Sequence, residues 1–403
     1  MLPVEGYTSQ HDPISTRVLL LDESGLRIGI LVVDTPSISD SFIDSWKAIL
    51  TRVAGVKPEN ALVIASHDTS APHVSLGAVG GPAGGGPGAG PNAKAYAQAV
   101  DTSVESAATN ALATLQPVQL GFGLGVSRIN TNRDVLTPKG WALGYDDAGF
   151  TDPSLALVRI DALDGKPLAW LMNYAVRPAI LENSLDDKTG KAISGDLVGA
   201  SEHYLESHAG PGTAIFLMGA GVDQSPYLMA NRFVQDQDGN TSRVDIHEAG
   251  FNLVDLLGER LGSEAVRVNQ GIKTSAAPAK LRIVRQSVEV KSQTPRQPNN
   301  AAAAPGAQPA EPQKVPFVLI QMGDIAFVGL APELNANIGV RIKTASPFAH
   351  TIVVTMVDGS AKYLPDTTNY DRKTPEALGS RYARGSAEQV ATQIVSALKK
   401  LKQ

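Results

Sequence analysis

The sequence predicts an α/β protein in which mixed β-sheets are flanked by helices, built from βαβ and hairpin units. Two observations carry this. Short β-rich runs are broken by turn-forming clusters such as Asp22-Glu23-Ser24-Gly25 and Asp164-Gly165. Between such runs lie segments with helical spacing of apolar residues, as in Phe42, Ile43, Trp46, Ile49, Leu50 and Val53. No internal repeat of the kind that marks solenoids or propellers is present.

In chain order, Arg17 to Leu21 and Arg27 to Asp34 read as a hairpin. Asp40 to Val53 reads as a helix with Ser37 or Ser39 as N-cap, and Ala61 to Ser66 as a buried strand. Strand, helix and strand make a right-handed βαβ crossover, in which ligands gather beyond the carboxyl ends of the strands. His67 stands at such an end.

The Gly/Pro-rich stretch 77–91 has too few side chains to pack and is expected to be a surface loop. Ala93 to Leu115 is an Ala-rich helix, and Leu155 to Val176 holds two strands around Asp164-Gly165. A helix follows Ser194-Gly195-Asp196 and runs to about Glu206. Ala214 to Met218 is a strand, Gly219 to Pro226 a loop at its carboxyl end, and Val244 to Val268 mostly helix.

Residues 291–316 are rich in Pro, Ala and Gln and read as a linker or an excursion between strands. Phe317 to Ile320 and Ile325 to Val328 form a hairpin around Gly323-Asp324. Glu333 to Lys343 reads as helix, Thr351 to Val357 as strand and Ala387 to Leu401 as amphipathic helix. The whole, 1–403, is expected to be a single domain, a size that allows a substantial core.

Composition excludes several function classes. The formal net charge of −5 comes without a concentrated Lys/Arg run, which argues against a nucleic-acid partner. Cysteine is absent, so disulfides, thiolate ligands and cysteine nucleophiles are excluded, and any metal must bind through His or oxygen. No apolar stretch approaches the roughly 20 residues that span a bilayer, and Met1-Leu2-Pro3 opens without a charged-then-apolar leader.

Polar residues stand just beyond the strands: His67, Arg177, Asp223 with Ser225, and Glu333. Such a set can converge on one pocket, although polar residues at strand ends also serve to satisfy backbone groups. The run His67-Asp68-Thr69-Ser70-Ala71-Pro72-His73 is the densest, because His is the commonest metal ligand and Asp either ligates or orients it.

Several ordered segments add to this: Gly6-Tyr7-Thr8-Ser9-Gln10-His11-Asp12-Pro13, Ser66-His67-Asp68-Thr69-Ser70-Ala71-Pro72, Asn132-Arg133 and Asn173-Tyr174-Ala175-Val176-Arg177. Further on come Ser194-Gly195-Asp196, Asp223-Gln224-Ser225-Pro226, Ala331-Pro332-Glu333 and Lys362-Tyr363-Leu364-Pro365. Together they resemble the catalytic domain of the neutral/alkaline, non-lysosomal ceramidases, without the C-terminal immunoglobulin-like domain of the larger members.

The resemblance implies a zinc-dependent amidohydrolase that cleaves an N-acyl amide, ceramide or a related lipid, and a secreted or periplasmic location. It implies His67, Glu333 and Tyr363 as ligands of one Zn2+. It implies Ser225, Arg133, Asp223 and Tyr382 (or Tyr370) as catalytic groups, and His11, Thr69, Asp196 and Arg177 as substrate contacts. The chain departs from the pattern at two positions where the family has His, which here are Thr69 and Arg177.

Three protein ligands still suffice for a catalytic zinc with an open water position. A guanidinium, however, cannot ligate a metal and repels a dication. Either Arg177 turns away, with Asp68 or His73 as replacement ligand, or the zinc is lost. The alternative function is therefore a non-catalytic, metal-free binding protein in which Arg177 pairs with Glu333 or captures an anionic ligand. A metal-independent hydrolase using Ser225 ranks last, since no Gly-x-Ser-x-Gly elbow is present.

Overall fold

A computed structural model describes residues 2–75, 92–186, 190–277, 279–293, 311–359 and 361–403. The expected loop at 77–91 and the central part of the 291–316 segment lie outside them.

Three sheets form the centre. The first holds Thr16–Glu23, Leu26–Val33 and Ala61–Ala65; the second, in spatial order, Thr213–Met218, Pro167–Tyr174, Ser154–Ala162 and Val118–Val126. The third holds Leu281–Val290, Gln313–Met322, Ile325–Leu330 and His350–Val354.

Alternation along the strands sends every second residue into a core shared by the three sheets. Ile28, Ile30 and Val32 meet Val158, Leu171 and Leu217 from the second sheet and Ile320, Phe327 and Ile352 from the third. The opposite faces are covered by helix pairs. Asp40–Ala54 and Ala93–Ala113 pack over the first sheet, Asp196–Ala209 and Gly250–Gly271 over the second, and Ala336–Ala345 with Ser386–Lys402 over the third. Trp46 joins the first pair: its indole is fully buried and Nε1 donates to Asp101 Oδ1 at 2.7 Å.

Each sheet contains one parallel pair whose crossover carries a helix: Leu26–Val33 with Ala61–Ala65, Pro167–Tyr174 with Thr213–Met218, and Ile325–Leu330 with His350–Val354. The carboxyl ends of these strands lead to His67, Arg177, Asp223 and Glu333. The predicted mixed α/β class with βαβ and hairpin units is the observed one.

Several boundaries differ. Val244 is in the strand Thr241–Asp245, which pairs with Asn231–Gln235 through the turn at Gly239, so the helix starts only at Gly250. Glu333 lies in the two-residue strand Glu333–Leu334 beside Tyr363–Leu364, and its helix begins at Ala336. The strand predicted over Thr351 to Val357 ends at Val354, and the one predicted to reach Val176 ends at Tyr174. Residues 313–316 are strand rather than linker, with Val290 opposite Gln313. Ser39 is the N-cap residue, although its side chain makes no cap bond. Among the described residues no helix is long and apolar enough to cross a membrane.

Candidate functional site

His67 follows the buried strand Ala61–Ala65 and adopts φ +64°, a left-handed conformation uncommon for a non-glycine residue. Its Nδ1 lies 2.6 Å from the Pro36 carbonyl oxygen, a pure acceptor, so Nδ1 carries a proton and donates it there. Nε2 is then turned toward Arg177 and Glu333. Arg177 Nε donates to His67 Nε2 at 3.2 Å, which assigns the neutral Nδ1–H tautomer.

Glu333 Oε2 lies 3.4 Å from His67 Nε2 and 3.5 Å from Arg177 Nε. That oxygen accepts no hydrogen bond among the described residues. Burial alone raises the Glu333 carboxyl, and the nearby Arg177 and Arg133 guanidiniums, whose charge is permanent, pull it down.

The donor set can be tested against the zinc that the resemblance implies. His67 Nε2 and Glu333 Oε2 face one point, the His is oriented through its other nitrogen as metal-bound His usually is, and Tyr363 is the parallel-strand neighbour of Glu333. Arg177 Nε, however, already stands against both donors.

The two replacement ligands are engaged elsewhere. His73 Nδ1 bonds Glu5 at 2.7 Å. Asp68 is fully buried, accepts from Ser70 N at 2.8 Å, and is pushed well up by burial and by Asp196 and Asp34. Among the described residues no three His, Cys, Asp or Glu are grouped to hold a metal. With Arg177 in this position the residues present do not fit zinc.

Arg177 also lines a cavity of about 140 Å³, together with Arg133, Ser225, Tyr363, Glu182 and Glu376. Tyr145, Arg243 and the apolar Leu143, Met229, Phe233 and Pro375 complete the wall. Apart from its bond to His67, the Arg177 guanidinium makes no hydrogen bond among the described residues; one terminal nitrogen is 3.7 Å from Glu182. Arg133 NH2 lies 2.5 Å from Glu376, so its charge is matched. Arg243 stacks over Phe233 at 4.2 Å and forms no ion pair among the described residues.

Ser225 is on the short strand Gln224–Pro226, paired with Asn130–Thr137. Its hydroxyl meets no base: no side-chain hydrogen bond is made to it among the described residues. The third reading, a serine hydrolase, therefore finds no partner for its nucleophile.

The remaining candidates stand apart from the cavity. Asp223 is a fastening group: Oδ1 accepts from Ala336 N at 2.9 Å, capping the helix, and Oδ2 from Asn132 at 3.3 Å. Asp196 accepts from Ile180 N, Leu181 N, Leu197 N and Ser70 Oγ at 2.6 to 3.0 Å, which ties the loop after Arg177 to a helix start. Thr69 donates to Pro178 O at 3.2 Å.

His11 is exposed and stacks on Phe251 at 3.7 Å. Tyr382 is 1% exposed, packed with Val288, Val315 and Ile394 in the third sheet's outer core. Tyr370 donates to the Tyr382 carbonyl, and its hydroxyl oxygen lies 3.0 Å from Ser380 Oγ. Neither tyrosine lines the cavity; the one that does beside Tyr363 is Tyr145, whose hydroxyl is buried without a partner among the described residues.

Tyr145, Glu182, Arg243 and Glu376 are not evident from the sequence. Glu182 lies close after Arg177, a proximity that could have marked it. Nothing local distinguishes Glu376.

No family model matches the sequence, and no curated protein matches it. Among solved structures, a ceramidase complexed with C2 superposes with a TM-score of 0.70 at 15% identity, over 98% of this chain and 74% of that one. The neutral ceramidase from Pseudomonas aeruginosa superposes with a TM-score of 0.67 at 16% identity, over 92% of this chain and 66% of that one. At that identity the likeness is one of architecture: the chain has the fold of the neutral ceramidases.

Proposed function

We propose that the cavity is a metal-free binding site for a small, acyl-bearing anion, with Arg177 as its charge-recognising group. One observation carries this. Arg177 Nε stands against His67 Nε2 and Glu333 Oε2, while the residue lines the cavity and its terminal nitrogens make no hydrogen bond among the described residues. A guanidinium held at its root presents a planar fork to a carboxylate or phosphate. Leu143, Met229 and Phe233 supply apolar wall for a short acyl segment.

The test is calorimetric titration of chelator-treated protein with hexanoate, with Arg177→Gln alongside. Wild type should bind, and the variant should bind at least about tenfold more weakly, since a charge-assisted hydrogen bond is lost. Equal affinity in the two proteins would refute the assignment.

A second reading is hydrolysis of an N-acyl amide, ceramide or a related lipid, with zinc. It is supported by the fold and by the prior orientation of His67 through Pro36. In it Arg177 turns from His67 to Glu182, now 3.7 Å away. Chelator-sensitive release of acid from an N-acyl amide, by wild-type protein supplied with zinc, would favour this reading over the first.

A further inference from the structure

The third sheet ends in a free edge. Leu281–Val290 is its outermost strand and pairs on one side only, with Gln313–Met322. Beyond that pairing its backbone takes one hydrogen bond among the described residues, from Gln389 Nε2 to the Glu289 carbonyl at 3.0 Å. A groove of about 630 Å³ follows the edge. Successive residues of a strand point to opposite faces, and here both faces line the same groove. Ile283 packs against the core shared by the three sheets, and Val284 against the outer core under Ser386–Lys402. The groove therefore straddles the edge. Two arginines of the strand fix its walls: Arg285 donates to the carbonyls of Glu59 and Ala61 at 2.6 and 2.7 Å, and Arg282 to the carbonyl of Leu401 at 3.0 Å.

The groove is positive in a chain of net charge −5. Lys57, Arg282 and Lys400 line it, none in an ion pair among the described residues, against the single acid Glu59. Lys57 and Lys400 are exposed and stand on flanking segments, so they border the open backbone without blocking it. A second copy pairing edge to edge would set these cations against one another, which disfavours self-association. An acidic partner gains from the same charges.

We propose that the groove takes an extended, acidic polypeptide segment of a partner protein as an added strand beside Leu281–Val290. The backbone of such a segment fills the unpaired N–H and C=O groups of the edge, and its carboxylates meet Lys57, Arg282 and Lys400.

The experiment selects random heptapeptides displayed on phage against the wild-type protein. Enriched peptides are then measured by fluorescence anisotropy on wild type and on the double variant Lys57→Glu, Lys400→Glu. They should carry Asp or Glu at alternate positions and bind the variant at least about tenfold more weakly, since two favourable charges become repulsive. On wild type they should also slow hydrogen exchange of the backbone amides within residues 282–286. No enrichment, enrichment without acidic residues, or equal affinity for the two proteins overturns the proposal. Unchanged exchange at those amides overturns the added strand whatever the affinity, and this arm needs no variant. Protection that grows with protein concentration in the absence of peptide assigns the edge to a second copy and overturns the proposal as well.

Discussion

Arg177→His is the most informative single substitution. It removes the guanidinium beside His67 and Glu333 and offers a neutral imidazole nitrogen as a third donor next to His67 Nε2 and Glu333 Oε2. Two unit charges about 4 Å apart repel by about 4 kcal/mol at an effective dielectric near 20, and a dication doubles this. Swinging the guanidinium out to about 8 Å toward Glu182 halves the doubled value, so about 4 kcal/mol of repulsion remains, or roughly a thousandfold in zinc affinity. Competition for zinc against a chromophoric chelator reads this directly. Arg177→His should bind zinc about a thousandfold more tightly than wild type. Arg177→Met, which removes the charge and adds no imidazole ligand, should recover this electrostatic gain, with Arg177→His binding at least as tightly. Equal zinc affinity in all three proteins would refute the electrostatic argument, and stoichiometric tight zinc in wild type would refute the assignment of Arg177 to the metal position.

Three further substitutions test other parts of the framework. Asp196→Ala leaves the amides of Ile180, Leu181 and Leu197 without their acceptor and should lower stability by about 3–5 kcal/mol in urea unfolding; a loss below about 1 kcal/mol means that the loop does not depend on this carboxylate. Asp223 is raised to about 6 from 3.8, chiefly by burial and partly offset by its hydrogen bonds. Its folded pKa therefore exceeds the unfolded one, so its contribution is full below pH about 4 and is lost as pH rises through about 6, a fall of about 3 kcal/mol. Asp223→Asn should abolish that fall, so that the stability difference between wild type and variant changes by this amount across the window; a pH-independent difference contradicts it. Tyr145→Phe removes a buried hydroxyl without a partner among the described residues and should raise the Tm of the ligand-free protein. A lower Tm would mean that the hydroxyl is satisfied in the free protein.

Elements built on apolar periodicity were legible, and those built on other physics were not. Leu26–Val33 and Ala61–Ala65 announce themselves because their alternating branched residues fill two cores at once. Val118–Val126 does not, because glycine takes every second position. A Cβ on Gly123 would sit 2.6 Å from Val268, and one on Gly125 would sit 2.5 Å from it, so these residues clear the path of the helix Gly250–Gly271 instead of packing. Asn130–Thr137 is hidden for a different reason. Its buried residues Asn130, Asn132, Arg133 and Asp134 are polar and are held by hydrogen bonds and ion pairs to distant segments, which no local pattern encodes.

The same distinction governs the site. His67, Arg177 and Glu333 were readable because each follows a strand of a parallel pair, and carboxyl ends of such strands gather where ligands bind. Glu376 and Tyr145 come from elements that reach the cavity only through tertiary packing. Sequence could frame Arg177 as a choice between turning away and displacing a metal. In the structure the side chain turns inward, with Nε against His67 Nε2 and Glu333 Oε2. The Pro36 carbonyl fixes the proton on His67 Nδ1 and thereby leaves a lone pair on Nε2, the arrangement a metal site needs. A guanidinium N–H needs the same lone pair and the same nearby carboxylate. A guanidinium at position 177 thus sets a cation of the chain itself against the same nitrogen and carboxylate.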